Sequence, residues 1–226
     1  MVYLLFFVSA VIGALIPPGL TGPVAPPTDA GAVAAKITAN KTGYELEIAF
    51  GLMSTALYVA LIALLYRLLR EVGRTPAVLM LAFGLMGSAV TAVENLMQVM
   101  PVVVLNGDSY LSVYSSQELQ ALALLFLHVA RAAAGVALVF FGVFQLALGW
   151  LVYRSGFIPG IIGAVVAIAG VGWLTYLFPP LPTLIGTPLA VLGAGAELSL
   201  MFWLLVFGVR PATRAGASSE PARSPA

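Results

Sequence analysis

The sequence predicts an all-α protein, a polytopic six-helix transmembrane bundle, and three observations carry that reading. Hydrophobic residues make up 61% of the chain and charged residues only 8%, whereas ordinary soluble domains are roughly a quarter charged. The apolar residues come in blocks of about 20, the number a helix needs to cross roughly 30 Å of hydrocarbon. Those blocks are continuous runs rather than the alternation of a barrel strand, and only helices and closed barrels satisfy their own backbone in lipid. With a mean hydropathy of +1.05, lipid is the expected solvent and the bilayer the expected partner.

The six spans fall at residues 2–16, 48–69, 77–103, 119–153, 157–178 and 184–209, within a single domain of residues 1–210. Pro17, Pro18, Pro76, Pro101, Pro159, Pro179, Pro180 and Pro182 stand at or near predicted ends, where a missing amide is least costly. The first span is short enough to pass for the apolar core of a signal peptide, but no Lys or Arg precedes it; it reads as a retained helix. Before the second span, Thr28 or Asp29 can cap a short helix through Asn40. Its Val33 and Ile37 share a face, which suits a helix on the membrane surface, either as lid or as connector; connector is the preferred reading. Ser115 with Glu118 makes an S-x-x-E capping box ahead of span four. From there to Tyr153 is about 37 residues, or about 55 Å, so this helix must tilt, kink or project beyond the bilayer. Residues 211–226, rich in Ala, Ser, Pro and Arg, read as a disordered cytoplasmic tail.

Charge sets the orientation. Arg67, Arg70, Arg74, Arg154, Arg210, Arg214 and Arg223 follow the even-numbered spans, while Lys36 and Lys41 lie on the other side with Asp29, Glu45, Asp108 and Glu118. The arginine side is expected to be cytoplasmic, with both termini inside a cell membrane that the chain crosses several times. A net charge of +1 and no basic stripe argue against nucleic acid. The absence of cysteine excludes disulfides and thiolate chemistry. One histidine, with no H-E-x-x-H, Walker loop or G-x-S-x-G elbow, leaves no metal or cofactor to expect. Asn40, Lys41 and Thr42 match the glycosylation triplet, which carries no meaning in most bacteria, and the Ala, Gly, Val and Pro bias looks bacterial.

Small residues mark packing faces: Gly135, Gly142 and Gly149 in span four, Gly156, Gly160 and Gly163 at the start of span five, and Gly186, Ala190, Gly193 and Ala194 in span six. Such spacing lets helix backbones approach closely, within one chain rather than as a dedicated dimer motif.

The chemistry lies in the polar residues inside the spans. Ser88, Thr91, Glu94, Asn95 and Gln98 form one stripe, separated by threes and fours. Span four adds His128 and Arg131, and span six adds Glu197. Intramembrane ionisable groups are costly, turn inward and are functional candidates, so Glu94, Asn95, Gln98, His128, Arg131 and Glu197 form the candidate ligand-binding set, with no residue assignable as catalytic. Counted from the flanking arginines, Glu94, Arg131 and Glu197 lie roughly 30, 35 and 20 Å along their helices, in the outer half. They are therefore expected to line one outward vestibule in which Arg131 and His128 balance the two carboxylates. The plainer alternative is an Arg and a Glu that lock two helices, or an Arg131 that snorkels to headgroups. The inner half offers mainly Tyr58, Gln145 and Ser155, which argues against a continuous aqueous pore.

The run GDSYLSVYSSQELQALALLFLH at residues 107–128, with FFGVFQLALGWLVYRSGFIPGIIG, AELSLMFWLLVFGVR and YRLLREVGR, resembles the bacterial membrane-protein family catalogued as domain-of-unknown-function family 4386. The likeness runs over most of the chain and implies a compact six-helix bacterial plasma-membrane protein without implying an activity. Family members tend to begin earlier, with a basic residue ahead of the first span, so the chain is expected either to start inside that helix or to carry a misplaced start. They also carry aromatic and hydroxyl residues where Val129, Ala130 and Arg131 stand. Three functions are carried forward: a module binding a lipid-like or small polar ligand in an outward pocket, an accessory membrane protein without ligand, and a membrane-embedded isomerase or cyclase using a buried Glu as general acid.

Overall fold

The computed structural model describes residues 1–17, 28–178 and 181–207, and among them helix is the only regular structure. Seven α-helices follow in chain order: α1 (Val2–Leu15), α2 (Ala30–Ala39), α3 (Lys41–Leu69), α4 (Arg74–Leu105), α5 (Ser116–Ser155), α6 (Gly160–Leu174) and α7 (Leu181–Val206). Two 3₁₀ turns, Ser109–Leu111 and Thr175–Leu177, precede α5 and extend α6. Four segments are long and apolar enough to cross a membrane, namely α3, α4, α5 and Gly160–Leu177, the signature of a membrane protein. At 14 residues, α1 spans about 21 Å, short of the hydrocarbon thickness, and α7 carries Pro188 within it. The Arg210, Arg214 and Arg223 charges, the tail at 211–226, and Pro18, Pro179 and Pro180 lie outside the described residues.

Local chemistry explains where the helices begin. Asn40 caps α3 by accepting from Gly43 N at 3.1 Å, so that helix starts at Lys41, earlier than its apolar run. Asp29 caps α2 through Ala32 N at 3.0 Å. The capping box of α5 has both of its bonds: Glu118 N donates to Ser115 Oγ at 3.3 Å and Ser115 N donates to Glu118 Oε2. From there α5 runs unbroken for 40 residues, about 60 Å, and closes at Gly156, whose φ of 71° is the left-handed conformation glycine tolerates best. Pro101 does not end its helix; α4 continues to Leu105. Three residues before that proline the Tyr44 hydroxyl donates to the Gln98 carbonyl at 2.7 Å.

α2 spends its apolar face on protein rather than on lipid. Val33 and Ile37, 3% and 2% exposed, cluster with Tyr44, Ile48 and Leu127 from α3 and α5, beside Val99 and Val102 of α4. This short helix therefore packs over the ends of three longer ones, occupying the projecting start of α5.

α5 is the central staff, with α4 on one side and α6 on the other. The glycine stripe provides the close approach to α6: a Cβ at Gly149 would stand 2.6 Å from the Gly163 carbonyl oxygen, and one at Gly142 would stand 3.0 Å from that of Gly170. On the α4 side, Gly84 receives the Phe144 ring and Gly87 the Phe141 ring, so α4 and α5 run antiparallel. α1 lies antiparallel on α3, with Gly13 against Phe50 at one end and the Phe6 ring 4.8 Å from that of Tyr58, centroid to centroid, at the other. The main apolar core, including Leu61, Leu65, Leu69, Met80, Leu148 and Leu151, fills the end of the bundle near Arg70 and Arg74. At the opposite end Lys41 Nζ donates to Asn106 Oδ1 at 2.8 Å, tying α3 to α4.

Because a Cβ at Gly163 would stand 2.6 Å from both the Gly149 carbonyl oxygen and the Tyr153 backbone nitrogen, Gly163→Val is expected to cost about 3 kcal/mol or more by forcing two backbones apart. Gly195→Ala, which meets nothing within 4 Å, is expected to cost nothing. Thermal unfolding in detergent separates the two.

Candidate functional site: an acidic cavity between the helices

Two polar stripes face each other inside the bundle. On α3, Glu47, Gly51, Ser54, Thr55 and Tyr58 fall on one face by helical spacing, and on α4 the stripe is Ser88, Thr91, Glu94, Asn95 and Gln98. Polar groups in hydrocarbon need partners from the protein itself, and these stripes supply them. Asn95 Nδ2 donates to Thr55 Oγ1 at 3.2 Å and to the Thr91 carbonyl at 3.0 Å. Gly51 makes room, since a Cβ there would stand 2.8 Å from Asn95 Oδ1. α1 joins through Ser9, whose Oγ shares a 2.8 Å hydrogen bond with Ser54 Oγ and donates to the Phe6 carbonyl. The hydroxyls of Thr55 and Ser88 donate to carbonyls one turn back, Gly51 and Gly84.

These faces do not close on each other. They bound a cavity of ≈ 380 Å³, completed by Leu138, Phe141 and Gln145 of α5, Trp173 of α6 and Glu197 of α7. Its lining follows α3 from Glu47 to Tyr58, about 16 Å of helix. At one end Glu197 Oε1 accepts from Gln145 Nε2 at 3.1 Å and from the Tyr58 hydroxyl at 3.3 Å, joining α3, α5 and α7 through one oxygen. Aromatic rings surround this end: Phe6 and Phe141 lie 4.8 and 5.4 Å from Tyr58, centroid to centroid. Gln145 is 2% exposed, and its Oε1 has no hydrogen-bond partner. At the other end Glu94 Oε1 accepts from Gln98 Nε2 at 3.1 Å, and Glu47 is 2% exposed. Among the described residues three carboxyl groups thus line the cavity, and no Lys, Arg or His does. Among the described residues no group of three or more His, Cys, Asp or Glu is placed to hold a metal ion.

Of the residues singled out from sequence, Glu94, Asn95, Gln98 and Glu197 line this cavity, together with the rest of the α4 stripe. The two carboxyls do not meet. With Gly84 packed on Phe144, Glu94 stands about 11 residues along α5 from the level of Gln145, some 16 Å from the Glu197 end. His128 and Arg131 do not reach the cavity. His128 is exposed, one position round the helix from buried Leu127. Arg131 is half-buried and lies one turn before Gly135, on the side of α5 that meets Tyr176 and α6. The expected balance of carboxylates by Arg131 and His128 is therefore not the arrangement of the lining. Glu47, Ser54 and Thr55 were not singled out beforehand. Their signal is legible as Tyr44, Glu47, Gly51, Ser54 and Tyr58, a three-and-four spacing that crosses the apolar block of α3.

A family model described as "Domain of unknown function (DUF4386)" matches residues 1–208. No curated protein and no solved structure matches the chain.

Replacing Glu197 by Ala strands two buried donors, Tyr58 Oη and Gln145 Nε2, and is expected to destabilise the bundle by roughly 2–4 kcal/mol. Glu197→Gln, which keeps an acceptor oxygen, is expected to cost less. A double-mutant cycle with Tyr58→Phe, read by thermal unfolding, should return a coupling of about 1 kcal/mol; strict additivity would contradict the shared-oxygen geometry.

Proposed function

The chain belongs to the family described as domain of unknown function DUF4386, and on that premise we propose that it is a small multi-pass binding protein of the bacterial cell membrane. In this reading α1, α3, α4, α5, α6 and α7 are six spans of a single transmembrane domain, and α2 is an outer connector. Both termini face the cytoplasm, and the bilayer is the principal partner. The placement of Arg67, Arg70, Arg74 and Arg154 at one end and Lys36 and Lys41 at the other supports that orientation. The ligand is lipid-like or small and polar, received in the cavity from the outer side.

One observation carries the proposal: the polar faces of α3 and α4 and the Glu197 carboxyl converge on a single cavity of ≈ 380 Å³. Ligand pockets run from roughly 300 to 1,000 Å³ and combine apolar walls with a few placed polar groups. Charges that served only to lock helices would be expected to pack against one another without leaving such a volume. The apolar core around Leu65, Leu69, Leu148 and Leu151 lies beyond the Glu197 end, which favours a pocket over a through-pore. An acid-catalytic reading, with Glu197 protonating an apolar substrate, is favoured by its aromatic surroundings and its bond to Tyr58; it predicts turnover of a bound molecule, where the binding reading predicts release unchanged.

Two measurements test the proposal. The natural chain has no cysteine, so single substitutions report sidedness directly: Lys41→Cys is expected to react with an impermeant maleimide added to intact cells, and Arg70→Cys only after lysis. The reverse pattern overturns the orientation. Native mass spectrometry of protein extracted from membranes is expected to show one bound small molecule, lost from Ala10→Phe, which fills the cavity from α1. A protein that carries no bound molecule, and that shows no saturable response to added amphiphiles, overturns the binding reading.

A further inference from the structure

Resting on that binding reading, we infer that the ligand is an organic ammonium: a molecule with an N–H-bearing cationic head seated against Gln145 and Glu197, and an apolar body along the cavity. The argument is an account of donors and acceptors. Among the described residues the lining holds three carboxyl groups, Glu47, Glu94 and Glu197, and no Lys, Arg or His. The amide and hydroxyl donors bonded to Glu94 and Glu197 are already turned to those acceptors: Gln98 to Glu94, and Gln145 and Tyr58 to Glu197. What the protein leaves open is an acceptor. Gln145 Oε1 is buried without a hydrogen-bond partner, on the same side chain whose Nε2 holds Glu197, and an amide oxygen can be satisfied only by a donor. A buried acceptor left unmatched is costly, so a site that keeps one beside a carboxyl is built for a donor arriving from outside.

An anionic headgroup is excluded by like-charge juxtaposition with the three carboxyls, and a neutral alcohol brings one donor and no countercharge. A primary or secondary ammonium brings both, forming charge-assisted bonds to carboxyl and amide oxygens. The walls suit the same class. Phe6, Phe141 and Trp173 line the cavity with Tyr58 at the Glu197 end, and cations are attracted to aromatic faces within about 6 Å. A carboxyl bonded to Tyr58, with Phe6 and Phe141 packed on that ring, suits an ammonium rather than a metal, since hard metal ions require several oxygen ligands in one shell.

The test uses the full chain in lipid nanodiscs and four probes that share one tail: octylammonium, octyltrimethylammonium, octanol and octanoate. Thermal unfolding is followed against probe concentration. Octylammonium is expected to give a saturable stabilisation that Ala10→Phe abolishes. Octyltrimethylammonium, cationic but without N–H, and octanol are each expected to bind at least about tenfold more weakly, as befits the loss of one charge-assisted bond, and octanoate not at all. Glu197→Gln and Gln145→Leu are each expected to lower octylammonium affinity about tenfold, and octanol affinity by less. Equal stabilisation by octanol or octanoate overturns the ammonium assignment and leaves a general lipid pocket. Equal binding of octyltrimethylammonium overturns the N–H contact to Gln145. No saturable response to any probe overturns the ammonium assignment together with the binding reading. The probe series on the natural chain decides these points even where a variant fails to fold.

Discussion

The arrangement of this bundle depends on one oxygen. Glu197 Oε1 accepts from Tyr58 of α3 and Gln145 of α5 while standing on α7, so three helices share a single polar contact in an otherwise apolar and aromatic neighbourhood. In hydrocarbon a polar group that lacks a protein partner costs several kcal/mol. That cost fixes the rotation of all three helices about their axes. Once they are fixed, the rest of the α3 stripe must face α4, where Asn95 and Gln98 complete the polar contacts.

Close backbone packing and the polar cavity are two sides of the same geometry. α5 meets α6 through Gly142 and Gly149 almost at backbone contact, where dispersion between small residues does the work that hydrophobic burial cannot do in lipid. On its other flank α5 presents Leu138, Phe141 and Gln145 to a space of ≈ 380 Å³. A staff of 40 residues held rigidly on one face can border an open volume on the other without collapsing into it. The α2 cap, seated on Tyr44, Ile48 and Leu127, holds the far ends of α3, α4 and α5 together.

Much of the site was legible because helical periodicity projects directly onto a face. Ser88, Thr91, Glu94, Asn95 and Gln98 were readable as one stripe, and all five line the cavity. Glu197 was readable as an ionisable group on an apolar helix. Glu47 was overlooked because it lies two residues from Glu45 and six from Lys41, in a stretch that reads as solvated loop until Asn40 is seen to cap α3 at Lys41. Charge and depth point to His128 and Arg131. Depth can be counted along one helix, whereas the azimuth of α5 depends on which stripe α6 takes, and α6 takes the glycines.

The sequence by itself determined the solvent, the all-helical class, the approximate places of the helices and the polar face of α4, because hydropathy, capping and the 3.6-residue period are local properties of the chain. Tertiary structure alone decided that α2 packs onto protein, that Glu94 and Glu197 stand at opposite ends of one cavity, that Arg131 lies outside it, and that Gln145 keeps an unmatched acceptor. Those outcomes depend on the rotation and register of one helix against another, which are set by contacts between residues as far apart as Tyr58 and Glu197 and which no local pattern encodes.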